Sequence, residues 1–234
     1  MPTRTVGELQ DALDASLAWR RIELSALKAE VERSSARGHS SPLSRAMARS
    51  ALAMLYAHWE SFARDALKAY VDYLSRRRLK FEQLNAGLLR TVFLSLHRRI
   101  MSGDESALES LIEAVRPPTM SRAQIPRNSM LNTRSNLRFD VLCEILDSVG
   151  IDSAEFETKA QLIDRSLCDA RNEIAHGREQ YPSPEDVTDL HDLVVNIMQT
   201  IRDRVLEAAR TESYLASTAE TLPTGRHTSN TGRP

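Results

Sequence analysis

The sequence predicts an all-α protein, an antiparallel helical bundle of long helices with one irregular arginine-rich loop. Three observations carry this reading. Aromatic residues are 5% of the 234-residue chain and glycines number 8. No apolar/polar alternation runs beyond a few residues, as a half-buried strand requires. Apolar residues instead recur at three-to-four-residue spacing over long stretches.

The first helix is expected over Val6 to Arg37, where Leu9, Leu13, Leu17, Leu24, Leu27 and Val31 form an apolar stripe and Gly38 ends it. After Ser41-Pro42, a longer helix is expected from Leu43 to about Leu79. Its predicted core face carries Met47, Ala51, Met54, Leu55, His58, Phe62, Ala66, Ala69 and Tyr73. Phe81 to Met101 reads as a weaker helix, broken by Ser102-Gly103-Asp104 before a short one from Glu105 to Val115.

Pro117-Pro118 then opens RPPTMSRAQIPRNSMLNTRSN, which holds three prolines and many turn formers. Its charge is all arginine, so it reads as an ordered or binding-ordered loop rather than a linker between two cores. Helix resumes near Leu137 and stops at Gly150. Lys159 to His176 forms the next helix, with Leu162, Ile163, Leu167 and Ile174 apolar and Gly177 as a natural stop. In SPED, Ser183 serves as N-cap with proline in the first turn and acids at the positive helix end. The last helix follows, with Val187, Leu190, Val194, Val195, Ile197, Met198, Ile201 and Val205 on its core face. From Thr211 onward the chain is small, polar and without periodicity, as in a disordered tail.

Lysine and arginine total 31 against 32 acids, for a net charge of −1. That balance excludes a protein that coats nucleic acid by bulk charge. The distribution is less even. No acid lies between Glu113 and Asp140, where Arg116, Arg122, Arg127, Arg134 and Arg138 fall, and RRRLK occupies Arg76 to Lys80. The arginine-rich loop is therefore a candidate phosphate-contacting surface, whereas RRRLK at a helix end suits the helix dipole. Cys143 and Cys168 lack the short spacing of metal or redox pairs and read as buried thiols of a cytosolic protein. The first thirty residues lack a signal-peptide pattern, and no run approaches the roughly 18 apolar residues of a membrane span. A cytoplasmic protein with no membrane contact, metal or cofactor is the expectation.

The stretch RNEIAHG, Arg171 to Gly177, carries the chemistry. On a helix Asn172 and His176, four apart, share a face, and Arg171 reaches the same space with its long side chain. Histidine exchanges protons near neutral pH, and a guanidinium offers a permanent charge with a planar fork for phosphate oxygens. Together they suit phosphodiester chemistry in which a base deprotonates a ribose 2′-hydroxyl and a cation stabilises the charged phosphoryl group. The structural alternative is that basic residues near a helix C-terminus simply satisfy its exposed carbonyls.

Arg-Asn-x-x-Ala-His-Gly at the end of a helix, just before the last helix, resembles the Arg-x4-6-His motif of the HEPN superfamily. Two further blocks, LYAHWESFARDALKAYVDYL from Leu55 and NTRSNLRFDVLCEILDSVGI from Asn132, resemble the bacterial MAE-like and RiboL-PSP HEPN nucleases. The resemblance covers about residues 43 to 208. One helical HEPN-like domain is expected over residues 1–212, made of an N-terminal helix over about 6–37 and a HEPN core over about 43–210, followed by a disordered polar tail, 213–234. The resemblance also implies a homodimer whose paired motifs line one composite cleft, with metal-independent RNA cleavage as the activity. On this comparison Arg171 is the phosphate clamp, His176 the general base or acid, and Asn172 the residue that orients either. Arg127, Arg134, Arg138 and Arg178 are candidates for substrate contact. Some relatives carry a tyrosine two residues after the histidine, where this chain has Arg178.

His58, with Trp59 and Glu60, falls inside an apolar stripe. It reads first as a core histidine and otherwise as support for His176; Glu60 and Glu173 are further supporting candidates. Three functions are compatible with these residues: a HEPN ribonuclease acting as toxin or phage-defence effector, a non-catalytic HEPN module holding RNA, nucleotide or protein, and an antitoxin-like interaction subunit bound to a partner.

Overall fold

The computed structural model of the protein describes residues 3–36, 41–116, 121–126 and 136–216. Its α-helices are α1 (Val6–Ala36), α2 (Pro42–Arg76), α3 (Ala86–Met101), α4 (Glu105–Val115), α5 (Phe139–Ser148), α6 (Ala170–Ala175) and α7 (Pro184–Arg210). Tight 3-10 turns occupy Phe81–Gln83 and Ala154–Lys159, and Leu162–Asp169 is wound as a π-helix. Among the described residues no strand forms beyond two isolated bridges, Lys80 with Arg122 and Leu84 with Leu215. The all-α expectation is met.

Local side chains set most helix starts by accepting from orphan N–H groups. Ser41 Oγ accepts from Ser44 N at 3.0 Å to open α2, and Asn85 Oδ1 accepts from Leu88 N at 2.9 Å to open α3. Ser183 and Asp186 satisfy each other's backbone N–H at the start of α7, the reciprocal capping box that SPED announces.

Cross-contacts give the topology. Arg20 meets Asp65 and Ser35 meets Ser44, so α1 and α2 run antiparallel. Arg202 reaches Asp14 and Lys28 reaches Asp192, so α7 is antiparallel to α1 as well. The three long helices pack on one another, α3 pairs with α4 and α5, and the π-helix with α6 lies against α2.

Helix α2 is therefore covered on most sides. The one-sided core face expected of it is too narrow: Leu52, Tyr56, Trp59, Ala63, Leu67, Tyr70, Val71 and Leu74 are buried too, and Met54 is partly exposed. A helix contacted by three neighbours shows little amphipathic contrast, which is why a single stripe understates its burial. The gap in the α1 stripe at position 20 is filled by Arg20, whose side chain is 4% exposed. It pairs with Asp65 at 2.7 Å, donates to Ser16 and Ser61, and lies over the rings of Trp19 and Phe62. These bonds offset the desolvation that an isolated buried charge would suffer.

Residues 211–216, expected to begin the polar tail, are instead docked. Tyr214 is buried, its carbonyl accepts from Asn85 N, and its hydroxyl accepts from Arg77, which also lies over Tyr73. The RRRLK knot thus uses Arg77 to fasten this segment. A single aromatic residue without periodicity gave no sign of it. The remainder of the tail, the prolines at 117 and 118, and the candidate contacts Arg127 and Arg134 lie outside the described residues. No helix among those described is long and apolar enough to cross a membrane.

Gly150 ends α5 with φ +76°, a conformation that costs L-residues about 1–2 kcal/mol. A Cβ there would stand 2.2 Å from Asn85 Nδ2, the amide that caps α3 and bonds Ser213. Gly150→Ala should therefore combine backbone strain with overpacking and lower stability by about 2–4 kcal/mol, readable as a fall of the thermal midpoint by roughly 5–10 °C. An unchanged midpoint would show that Asn85 moves aside at little cost.

Candidate functional site

Two carboxylates on the π-helix build one wall of the site. Asp164 and Asp169 are five apart, the span of one π-helical hydrogen bond, so the wider winding brings both toward the same side. Asp164 accepts from Phe139 N at 2.8 Å and Asp169 pairs with Arg138. Both thus sit at the positive N-terminal end of α5, where negative charge is favoured. Arg138, a candidate for substrate contact, has Asp169 as its partner.

The start of α5 is held equally firmly from α2. Leu137, fully buried, has its N–H bonded to Tyr56 Oη at 2.9 Å and its carbonyl to Trp59 Nε1 at 3.1 Å, with Cys168 Sγ at 3.4 Å from the same oxygen. Tyr56 Oη also donates to Asn136 Oδ1 at 3.2 Å. Burial keeps the Tyr56 phenol above its ordinary pKa and pushes the Cys168 thiol to about 12, so both hold their protons.

Arg171 lies on the exposed side of this cluster. Its Cζ is 3.7 Å from the centre of the Tyr56 ring, closer than any other such pair in the described chain. The side chain is half-buried, its Nε is buried without a hydrogen-bond partner, and it makes no ion pair among the described residues. A guanidinium cannot shed its charge, so the ring face and any incoming anion are what balance it.

The end of α6 then presents the histidine. Gly177, at φ +73°, sends its N–H to Ile174 O at 3.1 Å and Arg178 sends its own to Glu173 O at 2.9 Å. This double closure stops the helix at His176, as the sequence announced. His176 N bonds Asn172 O at 3.0 Å, so those side chains occupy successive turns of one face. Asn172 is half-buried and His176 is exposed.

Glu173 is the bidentate partner of Arg178, at 2.7 and 2.9 Å. Glu60 pairs with Arg64 at 2.9 Å along α2. His58 turns away toward α1: its Nε2 is 2.9 Å from the Glu23 carboxylate and its ring is 5.2 Å from that of Trp19. The contacts of His58 are those of a core histidine between α1 and α2. Among the described residues no cluster of His, Cys, Asp or Glu could hold a metal ion.

The structure places Arg171 and Asn172 at the start of α6 and His176 at its C-cap, with Arg138 and Arg178 engaged by neighbouring acids. Sequence reasoning did not single out Tyr56 as the platform for Arg171. The two are 115 positions apart, and only the fold reveals the stacking.

The family described as MAE_28990-like HEPN matches residues 9–214. No curated protein and no solved structure matches the chain.

Two measurements test the site's construction. Tyr56→Phe keeps the ring under Arg171 but strips the buried Leu137 N–H of its acceptor; it should cost about 1–3 kcal/mol in urea unfolding, and a smaller loss would mean that N–H finds another partner. Burial holds the His58 pKa below its ordinary value near 6.5, with Arg20 adding to that and Glu23 opposing. The unfolded chain therefore takes up this proton first as pH falls, so stability should decline below about pH 6.5 and be retained above it. His58→Gln should flatten that decline, and an equally steep one would assign it to other groups.

Proposed function

The chain belongs to the MAE_28990-like HEPN family, and on that premise we propose that it is an endoribonuclease acting through Arg171, Asn172 and His176. His176 takes the proton of a ribose 2′-hydroxyl, and the oxygen attacks the adjacent phosphorus. The bond to the 5′-oxygen breaks, that oxygen gains a proton, and the products are a 2′,3′-cyclic phosphate and a 5′-hydroxyl. Arg171 balances the charge that builds on the non-bridging oxygens, and Asn172 orients the histidine or the phosphate.

The observation that carries this reading is the state of Arg171. A half-buried guanidinium, stacked on Tyr56 and without an ion-pair partner among the described residues, is carried by the same short helix that ends at an exposed histidine. A purely structural arginine at a helix end would be expected to bond the exposed carbonyls. Here the backbone closure at Gly177 satisfies the carbonyls of Glu173 and Ile174 instead.

One motif histidine per chain fits a homodimer in which two motifs face one cleft, one histidine acting as base and the other as acid. The likeness to bacterial HEPN nucleases supports a role as a toxin or phage-defence effector, with an antitoxin or defence-system protein as a further partner.

The test is incubation of the purified protein with mixed RNA in EDTA, with analysis of product ends. The wild type should leave 2′,3′-cyclic phosphates, and His176→Ala should cut at least about 100-fold more slowly while keeping its fold. Cleavage that survives His176→Ala would overturn the mechanism. RNA binding without turnover would favour a non-catalytic HEPN module.

A further inference from the structure

Beside the motif, an open groove of about 500 Å³ runs between α2 and α6, with Arg45, Arg49, Ser50, Ala53, Ile174 and Tyr181 along it. Ile174 belongs to the motif itself, so the groove adjoins the helix that carries Arg171 and His176. On α2, Arg45, Arg49, Ala53 and Tyr56 follow one another at spacings of four, four and three, which places them on one face. Since Arg171 covers Tyr56, three arginines line a path of roughly 16 Å along α2 by helical rise.

The chemistry of the groove is specific. Tyr181 is half exposed, and the guanidinium carbons of Arg45 and Arg49 lie 5.2 and 5.6 Å from its ring centre. No carboxylate lines the groove, and Arg45 has no ion pair among the described residues; Glu185 lines only the neighbouring hollow. Arg49 has a second task, donating to the carbonyls of Arg178 and Gln180 at 2.7 and 2.8 Å, which fastens the turn after His176 onto α2. Two like charges thus share one ring with no acid between them. Ala46, Ala53 and Ile174 give the groove an apolar lining, suited to the face of a base.

We propose that this groove seats the nucleotide next to the scissile phosphate, its phosphate held by Arg45 and Arg49 and its base stacked against Tyr181. The site deepens the ribonuclease reading and rests on it. Stacking reads no sequence, since every base has a π-face, so the groove contributes affinity and register on a single strand rather than base choice.

The test uses the full-length wild-type chain and a short fluorescent RNA in which every ribose is 2′-O-methylated, so that it cannot be cut by 2′-oxygen attack. Binding is measured by anisotropy across a range of salt. Arg45→Ala should weaken binding about tenfold and reduce the slope of log K against log salt by about 0.7, the value for one lost phosphate contact on a single strand. Tyr181→Leu should weaken binding by a similar factor with the slope held, and Tyr181→Phe should restore it. A structural role for Arg45 would leave the salt slope unchanged, and that result would overturn the proposal. So would complete displacement of the oligonucleotide by a mononucleotide alone, since the groove would then be a nucleotide pocket and not part of a strand path. If both variants bind as wild type while the wild type still cuts unmodified RNA, the groove lies off the path and the ribonuclease reading stands. A wild type that neither binds nor cuts RNA removes both.

Discussion

The site depends on how one buried peptide is satisfied. Leu137 lies fully inside the protein, where an unbonded N–H or carbonyl would cost roughly 1–3 kcal/mol each. Tyr56 and Trp59, three apart on α2, take the two groups. That requirement draws the chain before α5 onto α2 and holds the Tyr56 ring by its hydroxyl. The ring in turn offers a face on which Arg171 rests. A cation that carries the proposed chemistry is thus positioned by a polar requirement of the core.

The π-helix serves the same end from the other side. In an α-helix, residues five apart diverge; in the wider winding Asp164 and Asp169 turn toward the same side and engage successive residues, Phe139 and Arg138, at the start of α5. Asp169 is thereby committed to Arg138 and not to Arg171. Arg138 and Arg171 both act on the buried Cys168 thiol, and the winding of one helix decides which of them keeps its charge available for an anion.

Much of this was legible in the sequence because much of it is local. Ser183 with its acids, Gly150 and Gly177 mark helix ends by interactions within a few residues, and the observed ends agree closely with those marks. The Arg171–His176 pair was legible for the same reason. What was not legible is long-range. The π winding of Leu162–Asp169 has no pattern distinct from an α-helix with apolar residues, and the burial of α2 on most of its sides arises from three neighbours. Tyr181 lies in the loop before α7, and only the fold sets it against Arg45 and Arg49, more than 130 positions earlier. The docking of Tyr214 likewise follows from contacts with Asn85 and Arg77 that no local signal records.

Placing Arg171 against a neutral ring rather than a carboxylate has a functional logic. An ion pair would have to be broken before phosphate could bind, whereas a ring face holds the guanidinium in place and leaves its terminal N–H groups free of any ion pair. The central claim is that Arg171 meets a non-bridging oxygen of the phosphate under attack. The most direct measurement compares cleavage of RNA carrying a single phosphorothioate of defined configuration, by wild type and by Arg171→Ala, in EDTA. Wild type is expected to discriminate against one sulfur configuration, and Arg171→Ala, slower overall, to lose this discrimination. Equal discrimination by both proteins would contradict it and place the phosphate contact elsewhere.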